Sequence, residues 1–483
     1  MNHDRAPLFE ALQAHRQKHT ASYHVPGHKS GRGMMQEERD LFHPILQIDL
    51  TEITGLDDLH HPEECIREAQ LLAADAFGAD ETYFLVGGST AGNLASVLAL
   101  CGEGDTLIVE RGSHKSVMNG LMLAKAKAVF LPQTFEPDVP IPQGPSIEII
   151  RQALEMYPEA KGVLLTAPNY YGYQMDLRRA AELVHTYGKI LIVDEAHGAH
   201  LGFHGELPPS ALSCGADVVI QSTHKMLTAM TMGAMLHVKG KRGLELKDQI
   251  KRFLAMLQSS SPSYPIMASL DIARRYIMQQ GKDVLEDTLH QIQSFYSKLS
   301  KLSVLWHAHS ETYKVPGFID PMKCYIADTT GTLSGHQLRK LLEAEGCIME
   351  MSDASGTLAV FSLCTEEEHL QRLLLNLQQI VEKYGLVKKE VHGPLWNCFT
   401  REEQLLPIDM GLASTEAVEI VPLDDAVGCK SADMVIPYPP GIPLWVPGEV
   451  ITAQSARDLQ HWIQQGGHVQ GMAGAGLIKV IKR

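Results

Sequence analysis

Asp194 and Lys225 lie 31 residues apart, and each follows an apolar run of the kind that forms a buried strand. The runs are residues 190–193 and 218–221. An aspartate just past one strand can keep the pyridine nitrogen of pyridoxal phosphate (PLP) protonated, and a lysine beyond another can form an imine with the cofactor's aldehyde. The pair therefore predicts a PLP enzyme. Taken separately, Asp194 could instead cap a helix or form an ion pair, and Lys225 could be a solvated lysine.

A glycine-rich segment at residues 86–93 lies between a predicted strand and a predicted helix. Glycines allow close backbone approach, and the helix N-terminus offers unpaired N–H groups to an anion. Ser89 and Thr90 add two hydroxyls, so the segment is a candidate phosphate cup. The alternative is a Ser/Thr helix cap after a glycine turn.

An imidazole follows another predicted strand, because His114 comes shortly after residues 106–109. Such a ring could stack on a planar cofactor or act as an acid or base, although a surface histidine is the simpler reading in isolation. Cup, imidazole, aspartate and lysine occur in the chain order that one cofactor requires. Ser222 and His224, beside Lys225, could complete the phosphate shell.

Residues 194–197 read DEAH, which is also the Walker B box of one helicase class. That class needs a GxxxxGK[ST] loop to hold phosphates, and no Gly-Lys-Ser or Gly-Lys-Thr occurs in the sequence. The formal net charge of −15 also repels nucleic acid. Both observations exclude a helicase and make a nucleic-acid partner unexpected.

The pattern along the chain predicts an α/β protein with a mostly parallel, seven-stranded sheet and a smaller α+β region at the C-terminal end. Apolar strand-like runs alternate with helical stretches, which is typical of a sheet covered on both faces. Ligands then belong at the carboxyl ends of the strands. We expect an arm at 1–45, a cofactor-binding domain at 46–302 and a C-terminal region at 303–483. The predicted strands are 83–86, 106–109, 128–131, 162–166, 190–193, 218–221 and 234–238.

The location of the protein is predicted from its composition and its first residues. The eight cysteines form no CxxC motif, which indicates reduced thiols. The N-terminus lacks an apolar signal-peptide core, and no run of about 18 apolar residues appears. We therefore expect a cytoplasmic protein with no membrane association and no metal site.

Several motifs together resemble the Orn/Lys/Arg decarboxylases of fold type I, the aspartate aminotransferase-like PLP enzymes. The similarity runs from about residue 5 to 300 and again over about 385–465, the expected family C-terminal domain. The chain is similar to the short form, which lacks the receiver-like wing domain of long bacterial members. The motifs are YHVPGHK (23–29), GLDDLH (55–60), RGSHKS (111–116), VDEAHGAH (193–200), STHK (222–225) and the Pro-rich stretch that ends at Glu449.

The resemblance implies a role for each site residue. Lys225 is the imine-forming lysine, Asp194 the partner of the pyridinium nitrogen, and His114 the stacked ring, with Lys225 or His114 as candidate proton donor to Cα. A homodimer with shared active sites, or a higher oligomer, is also implied. The remaining implied cofactor contacts are Ser89, Thr90, Ser222 and His224 to phosphate, Ala196 to the ring face, and Ser260 to the neighbouring subunit's phosphate.

The implied reaction is decarboxylation of lysine, arginine or ornithine to CO2 and cadaverine, agmatine or putrescine, for polyamine biosynthesis. A buried substrate cation needs an anion, for which Glu449 is the candidate, followed by Asp424. The three substrates differ too little for the sequence to separate them. His197 and Asn169 depart from the residues that other members carry.

Two alternatives remain open. Another fold type I enzyme, such as an aminotransferase or a carbon–sulfur lyase, would share Asp194 and Lys225. A non-catalytic regulatory protein would bind PLP without turnover, although the retention of Lys225, Asp194 and His114 argues against it.

Overall fold

The computed structural model describes residues 1–18, 21–136, 139–308, 317–387, 405–411, 417–438, 441–464 and 466–482. Prolines 439 and 440 of the Pro-rich stretch lie outside the described residues. The chain divides into two compact units. Unit 1 comprises Met1–Leu100 and Ile192–Asp283, and unit 2 comprises Cys101–Leu191 and Val284–Arg483.

Helices and strands alternate through most of the chain. The helices are α1 (Pro7–Gln17), α2 (Gln36–Leu46), α3 (Cys65–Phe77), α4 (Gly88–Leu100), α5 (Lys115–Ala124), α6 (Ile147–Met156), α7 (Leu177–Thr186), α8 (Ala211–Cys214), α9 (Thr223–Met226), α10 (Gly240–Leu257), α11 (Tyr264–Leu299), α12 (Gly335–Ala344), α13 (Glu367–Lys383) and α14 (Ala453–Gln464). The strands are β1 (Glu81–Leu85), β2 (Thr106–Glu110), β3 (Lys127–Leu131), β4 (Gly162–Thr166), β5 (Tyr173–Met175), β6 (Ile190–Asp194), β7 (Val218–Gln221), β8 (Ala234–Val238), β9 (Leu305–His307), β10 (Gly317–Ile319), β11 (Lys323–Asp328), β12 (Met351–Ser352), β13 (Gly356–Val360), β14 (Pro407–Asp409), β15 (Val418–Pro422), β16 (Ile436–Tyr438), β17 (His468–Gln470) and β18 (Leu477–Ile481).

In unit 1 the strands pair in the order β1, β8, β7, β6. Strand β8 is antiparallel to both β1 and β7, whereas β6 and β7 are parallel. Strands β1, β6 and β7 therefore run in the same direction, and their carboxyl ends meet at one edge of the sheet. That edge carries the segment after β1, the end of β6 and the segment after β7.

A glycine allows α4 to pack closely on this sheet. A Cβ at Gly92 would lie 2.8 Å from Ile220 Cγ2 on β7 and 2.9 Å from Leu85 Cδ1 on β1. Both distances are shorter than side-chain contacts allow, so only glycine permits the approach. This packing fixes the start of α4 near the ends of the strands.

The N-terminal segment of unit 1 is held by a buried ion pair. Arg274 Nη2 donates to Asp271 Oδ1 at 2.5 Å, and both side chains are fully buried. Asp271 also accepts from the backbone N–H of Leu8, and the Arg274 guanidinium donates to the carbonyls of His3 and Arg5. Because the opposite charges are paired and both side chains also hydrogen-bond to the backbone, the pair can be buried without leaving an uncompensated ion.

Unit 2 carries three further parallel strands of the predicted set. Strand β2 is parallel to β3 and to β4, and the short β14 adds an antiparallel partner to β3. With the four strands of unit 1, all seven predicted strands are present. The mostly parallel α/β architecture is confirmed.

The C-terminal part of unit 2 is the predicted α+β region. Its antiparallel sheet has the strand order β12, β13, β11, β9. A second small core forms around Trp445, which is fully buried and donates from its indole Nε1 to Ser455 Oγ at 2.9 Å. Across the residues that the structure describes, every helix is too short or too polar to span a bilayer.

Candidate active site

The predicted phosphate cup lies where α4 begins, and Val86 and Gly87 separate it from the end of β1. Gly88 adopts a left-handed φ of +71°, and Ser89 and Thr90 follow in the first helical turn. The first N–H groups of a helix have no intrahelical partner and favour an anion. Ser222 Oγ donates to Ser89 Oγ at 2.9 Å, so a hydroxyl from the segment after β7 joins the cup.

The carboxylate of Asp194 is held firmly at the end of β6. The residue is 2 % exposed. Asn93 Nδ2 donates to Asp194 Oδ2 at 2.8 Å, and the backbone N–H of Ala196 donates to Oδ1 at 3.1 Å. Two donors stabilise the charged carboxylate despite burial. Asn93 follows Thr90 by one helical turn, so α4 supplies both the cup and the support of Asp194.

Lys225 lies in the short helix α9, directly after β7. Its Nζ lies 3.0 Å from Nε2 of His197, which is 5 % exposed. The His224 backbone N–H donates to the carbonyl of Gly233 at 3.0 Å, which anchors α9 to the segment before β8. Backbone contacts therefore fix the segment that carries the lysine, while an imidazole contacts the amine itself.

A chain of buried polar groups runs behind this edge. Glu195 accepts from Gln221 Nε2 at 2.7 Å and from the backbone N–H of Ala211 at 2.6 Å. Gln221 Oε1 lies 3.1 Å from His237 Nε2, and His237 Nδ1 lies 2.8 Å from Thr82 Oγ1. Burial raises the pKa of Glu195 to about 8 and lowers the pKa of His237 to about 3. This hydrogen-bonded series of side chains joins β6, β7, β8 and β1 and stiffens the edge of the sheet.

Ser260 lies on an exposed loop of unit 1 that is tied to its surroundings by two neighbours. His60 Nε2 lies 2.9 Å from the carbonyl oxygen of Ser259. The Gln258 side chain accepts from the backbone N–H of Val86 at 2.7 Å, just before the cup. The loop is thus attached to the same strand end that begins the cup.

His114 belongs to unit 2, where it is the N-cap of α5. Its Nδ1 accepts from the backbone N–H of Ser116 at 3.2 Å, and Ser116 Oγ lies 2.9 Å from the same nitrogen. Because Nδ1 is an acceptor, the neutral ring carries its proton on Nε2. Gly441 lies next to the ring, since its Cβ would be 3.4 Å from His114 Cδ2. The histidine is therefore oriented by its own helix.

Glu449 and Asp424, the candidate substrate anions, also belong to unit 2. Arg111 Nη2 donates to Glu449 Oε2 at 3.2 Å, and the same oxygen accepts from the backbone N–H of Val446. Arg111 is buried and donates to the carbonyls of Pro443 and Leu444 as well. Asp424 is exposed. Arg111 and Val446, which donate to Glu449 Oε2, thus belong to the same unit as Glu449.

Asn169 organises a loop of unit 2. Its Oδ1 accepts from the backbone N–H groups of Tyr171 and Tyr173 at 3.0 Å, and its Nδ2 donates to the carbonyl of Pro142 at 2.7 Å. These bonds satisfy backbone groups that the turn would otherwise leave unpaired.

The residues of unit 1 fit PLP. The cup supplies hydroxyls and N–H donors for a phosphate, Asp194 a buried carboxylate for a cationic ring nitrogen, and Lys225 an amine. Thr223 lies between Ser222 and His224 in the chain, and its buried Oγ1 has no hydrogen-bond partner among the described residues. A ligand with acceptor oxygens would satisfy such a donor.

A helix N-terminus, a buried carboxylate and a lysine at one sheet edge define a PLP-dependent enzyme of fold type I. Two family models match the chain: Orn/Lys/Arg decarboxylase, major domain, over residues 6–311, and Orn/Lys/Arg decarboxylase, C-terminal domain, over residues 410–468. The chain belongs to the Orn/Lys/Arg decarboxylase family, and it is a PLP-dependent decarboxylase.

Similar proteins agree with this assignment. The uncharacterized protein YaaO of Bacillus subtilis is 39% identical, over 96% of either chain. The arginine decarboxylase of the same organism is 35% identical, over 100% of this chain and 99% of its own. The crystal structure of the Francisella novicida lysine decarboxylase LdcF matches with a TM-score of 0.82 and 22% identity, over 99% of this chain and 81% of its own. At that identity the match shows the fold.

Two residues with clear roles in this geometry were absent from the predicted site. Asn93 lies in the glycine-rich segment, but the sequence motif alone assigns it no role. Its position one turn after Thr90 places it on the same helix face. Arg111 opens the RGSHKS motif, yet its partners lie more than 300 residues away in sequence. Sequence spacing gives a signal for the first residue and none for the second.

Proposed function

We propose that this decarboxylase acts on arginine in preference to lysine and ornithine, releasing CO2 and agmatine. The observation that carries the reaction is the shared sheet edge of unit 1, where the cup, Asp194 and Lys225 follow three strands of the same direction. The preference for arginine is supported by the full-length similarity to the arginine decarboxylase of Bacillus subtilis.

Bound PLP supplies an electron sink for the pair of electrons that the departing carboxylate leaves on Cα. The chain's part is to bind and orient. The cup would hold the phosphate of PLP, and the Asp194 carboxylate would stabilise a proton on its ring nitrogen. Asn93 and the N–H of Ala196 hold that carboxylate in place, so no reorganisation is needed during the reaction.

Lys225 provides the amine that attaches the cofactor and, with His114, is a candidate to deliver the proton to Cα. His197 contacts the Lys225 amine at 3.0 Å and can accept a hydrogen bond from it. Since His114 Nδ1 accepts from the backbone N–H of Ser116, Nε2 is the ring nitrogen left to carry a proton towards the substrate. Ala196, Ser222, His224 and Ser260 complete the proposed cofactor contacts.

Recognition of the substrate's distal cation is assigned to Glu449, with Asp424 as the second candidate. A guanidinium binds a carboxylate through paired N–H groups, whereas an ammonium is a compact point charge. Arg111 already donates to one oxygen of Glu449, which orients the carboxylate.

The wider proposal follows from the family. It includes a cytoplasmic homodimer, or a higher oligomer, with shared active sites, and a role in polyamine synthesis. It also includes the division of the chain into an arm at 1–45, a PLP domain at 46–302 and a C-terminal region at 303–483.

The decisive experiment combines a spectrum with product analysis. The protein with PLP should show an absorbance band near the visible–ultraviolet boundary that borohydride abolishes, and Lys225→Ala should lack it. Arginine, lysine and ornithine are then supplied in parallel, with CO2 and amine both quantified. Agmatine in equal amount to CO2 supports the proposal. A larger yield from lysine or ornithine would overturn the preference, an α-keto acid would favour an aminotransferase, and no product from any substrate would refute catalysis.

A further inference from the structure

A cavity of about 530 Å³ opens in unit 1, outside the proposed cofactor site. It lies among the loop before α3, strand β1 and the C-terminal half of α10, and none of the proposed cofactor residues lines it. Its volume is within the range of pockets that bind small organic molecules. Phe84 and Leu254 contribute apolar walls.

Two buried polar side chains in the cavity wall have an atom without a hydrogen-bond partner. They are Gln70, which is 2 % exposed and whose Oε1 is unpartnered, and Tyr83, which is 6 % exposed and whose hydroxyl is unpartnered. Burial also raises the pKa of the Tyr83 phenol, so the group is a neutral hydrogen-bond donor. Leaving such groups unpaired is costly, which indicates a missing polar partner.

Three cationic side chains line the cavity. Lys251 and Arg252 line it from α10 and form no ion pair within the described part of the chain, and Lys251 Nζ lies 5.9 Å from the centre of the Tyr83 ring. Arg67 also lines the cavity but is paired with Glu81 at 2.9 Å. Glu63 is the acidic residue of the lining, and Asp248 lies close enough to Tyr83 to help raise the pKa of its phenol. Lys251 and Arg252 thus remain the two cations of the lining that can pair with a bound anion.

We propose that this cavity binds a small organic anion, a carboxylate or phosphate ester carried on an apolar or aromatic body. Lys251 and Arg252 hold the oxyanion, and the Tyr83 hydroxyl donates to one of its oxygens. The body lies against Phe84 and Leu254, and Gln70 meets a polar group on it. The decarboxylase's own substrates are poor candidates, because each carries two cationic groups against one carboxylate.

The test is calorimetric titration of the PLP-saturated enzyme. Phenyl phosphate and benzoate are the anionic probes, inorganic phosphate tests whether the apolar body matters, and benzylamine is the cation of similar size. We expect saturable binding of one or both aromatic anions, weaker binding of phosphate and none of benzylamine. The cofactor absorbance is followed throughout, since an unchanged band excludes displacement of PLP from the cup.

Variants locate the binding. The double substitution K251A/R252A should weaken the anion by about tenfold or more, because charge-assisted hydrogen bonds are the strong ones. Tyr83→Phe should weaken it by severalfold without changing the fold. Lys247→Ala removes one positive charge from the same helix but outside the cavity lining, and should leave binding unchanged.

Several results would overturn the proposal. Absence of saturable binding by both aromatic anions is one, and binding that survives K251A/R252A is another. A third concerns two measurements together: the native enzyme binds no anion, and K251A/R252A changes its oligomeric state in sedimentation. That combination would show that a second copy of the chain covers the cavity. Decarboxylase activity is not a readout here, so failure of this site is separable from failure of the proposed function.

Discussion

The side-chain amide of Asn93 donates from Nδ2 to Oδ2 of Asp194 at 2.8 Å, and both residues are buried. One helix therefore links the phosphate cup at its first turn to the carboxylate at the end of β6. A displacement of α4 would disturb both ends of a bound cofactor together.

Asn93→Leu should weaken PLP binding by removing this hydrogen bond while keeping a similar volume. A buried charged acceptor that loses its donor costs about 1–3 kcal/mol, so we expect a fall in PLP affinity of about tenfold or more. Equilibrium dialysis of PLP measures it. Ser96→Ala is the matched control, because Ser96 is buried on the same helix and its hydroxyl donates to the carbonyl of Gly92 in that helix. Equal affinities in both variants would contradict the proposed support of Asp194.

His197→Phe should change the acid–base behaviour of the lysine-bound cofactor. His197 Nε2 lies 3.0 Å from Lys225 Nζ and can accept a hydrogen bond from it. Loss of that acceptor destabilises the protonated nitrogen, so the pH midpoint of the absorbance change should fall. Spectra recorded across pH provide the measurement. His200→Phe, at another buried histidine of the same VDEAHGAH segment, is the comparison, and a midpoint that stays fixed in His197→Phe would refute the contact's role.

The strands and their end residues could be predicted because apolar runs of four or five residues between helices leave few alternatives. Asp194 and Lys225 follow from that pattern, and so does the shared edge. The support of Asp194 by Asn93 could not be predicted with the same certainty, because it depends on the rotation of α4 that Gly92 permits. The contact of Arg111 with residues 443 and 444 depends on folding of a distant segment, for which spacing carries no information.

The contacts of His114 could likewise be predicted only in part from the sequence. Its position after β2 was predictable, but its capping of α5 through Nδ1 was not, because a histidine N-cap is less common than Ser, Thr, Asp or Asn. The cap determines the tautomer. A sequence identifies such a residue without showing which nitrogen remains for chemistry.

Glu449→Gln should separate substrate binding from structural support. The side chains of Arg111 and Glu449 are 9 % and 14 % exposed, so the loss of the charge leaves Arg111 poorly compensated, at a cost of about 3 kcal/mol in unfolding free energy. Our assignment of Glu449 to the substrate's cation further predicts a rise in KM for arginine, with kcat less affected. Urea unfolding and steady-state kinetics measure the two effects.

Asp424→Asn is the comparison for that experiment, because Asp424 is exposed and its loss should leave stability unchanged. A Glu449→Gln enzyme that loses stability but keeps its KM would assign Glu449 a structural role alone. A KM effect in Asp424→Asn and not in Glu449→Gln would move the substrate contact to Asp424.

The buried chain behind the site predicts an unusual pH dependence of stability. Glu195 has a folded-state pKa of about 8, above its ordinary value of 4.5, so the folded protein holds a proton that the unfolded chain releases. The stabilisation of the folded protein by protonated Glu195 is present in full below pH 4.5. It is lost from the free energy of unfolding as the pH rises towards 8. His237 has a folded-state pKa of about 3, below its ordinary 6.5, so its contribution is present above pH 6.5 and is lost as the pH falls towards 3.

Glu195→Gln should therefore flatten the decline in unfolding free energy between about pH 5 and 8, because the glutamine cannot ionise. Its amide must present the oxygen to the Ala211 N–H, and Gln221 must rotate its amide to accept from the new NH2 group. Urea denaturation at half-unit steps of pH gives the profile, with the PLP content held constant. Asp217→Asn is the control, since Asp217 is a buried aspartate one residue before β7. An unchanged slope in Glu195→Gln, or the same flattening in Asp217→Asn, would show that the buried Glu195 is not the group responsible.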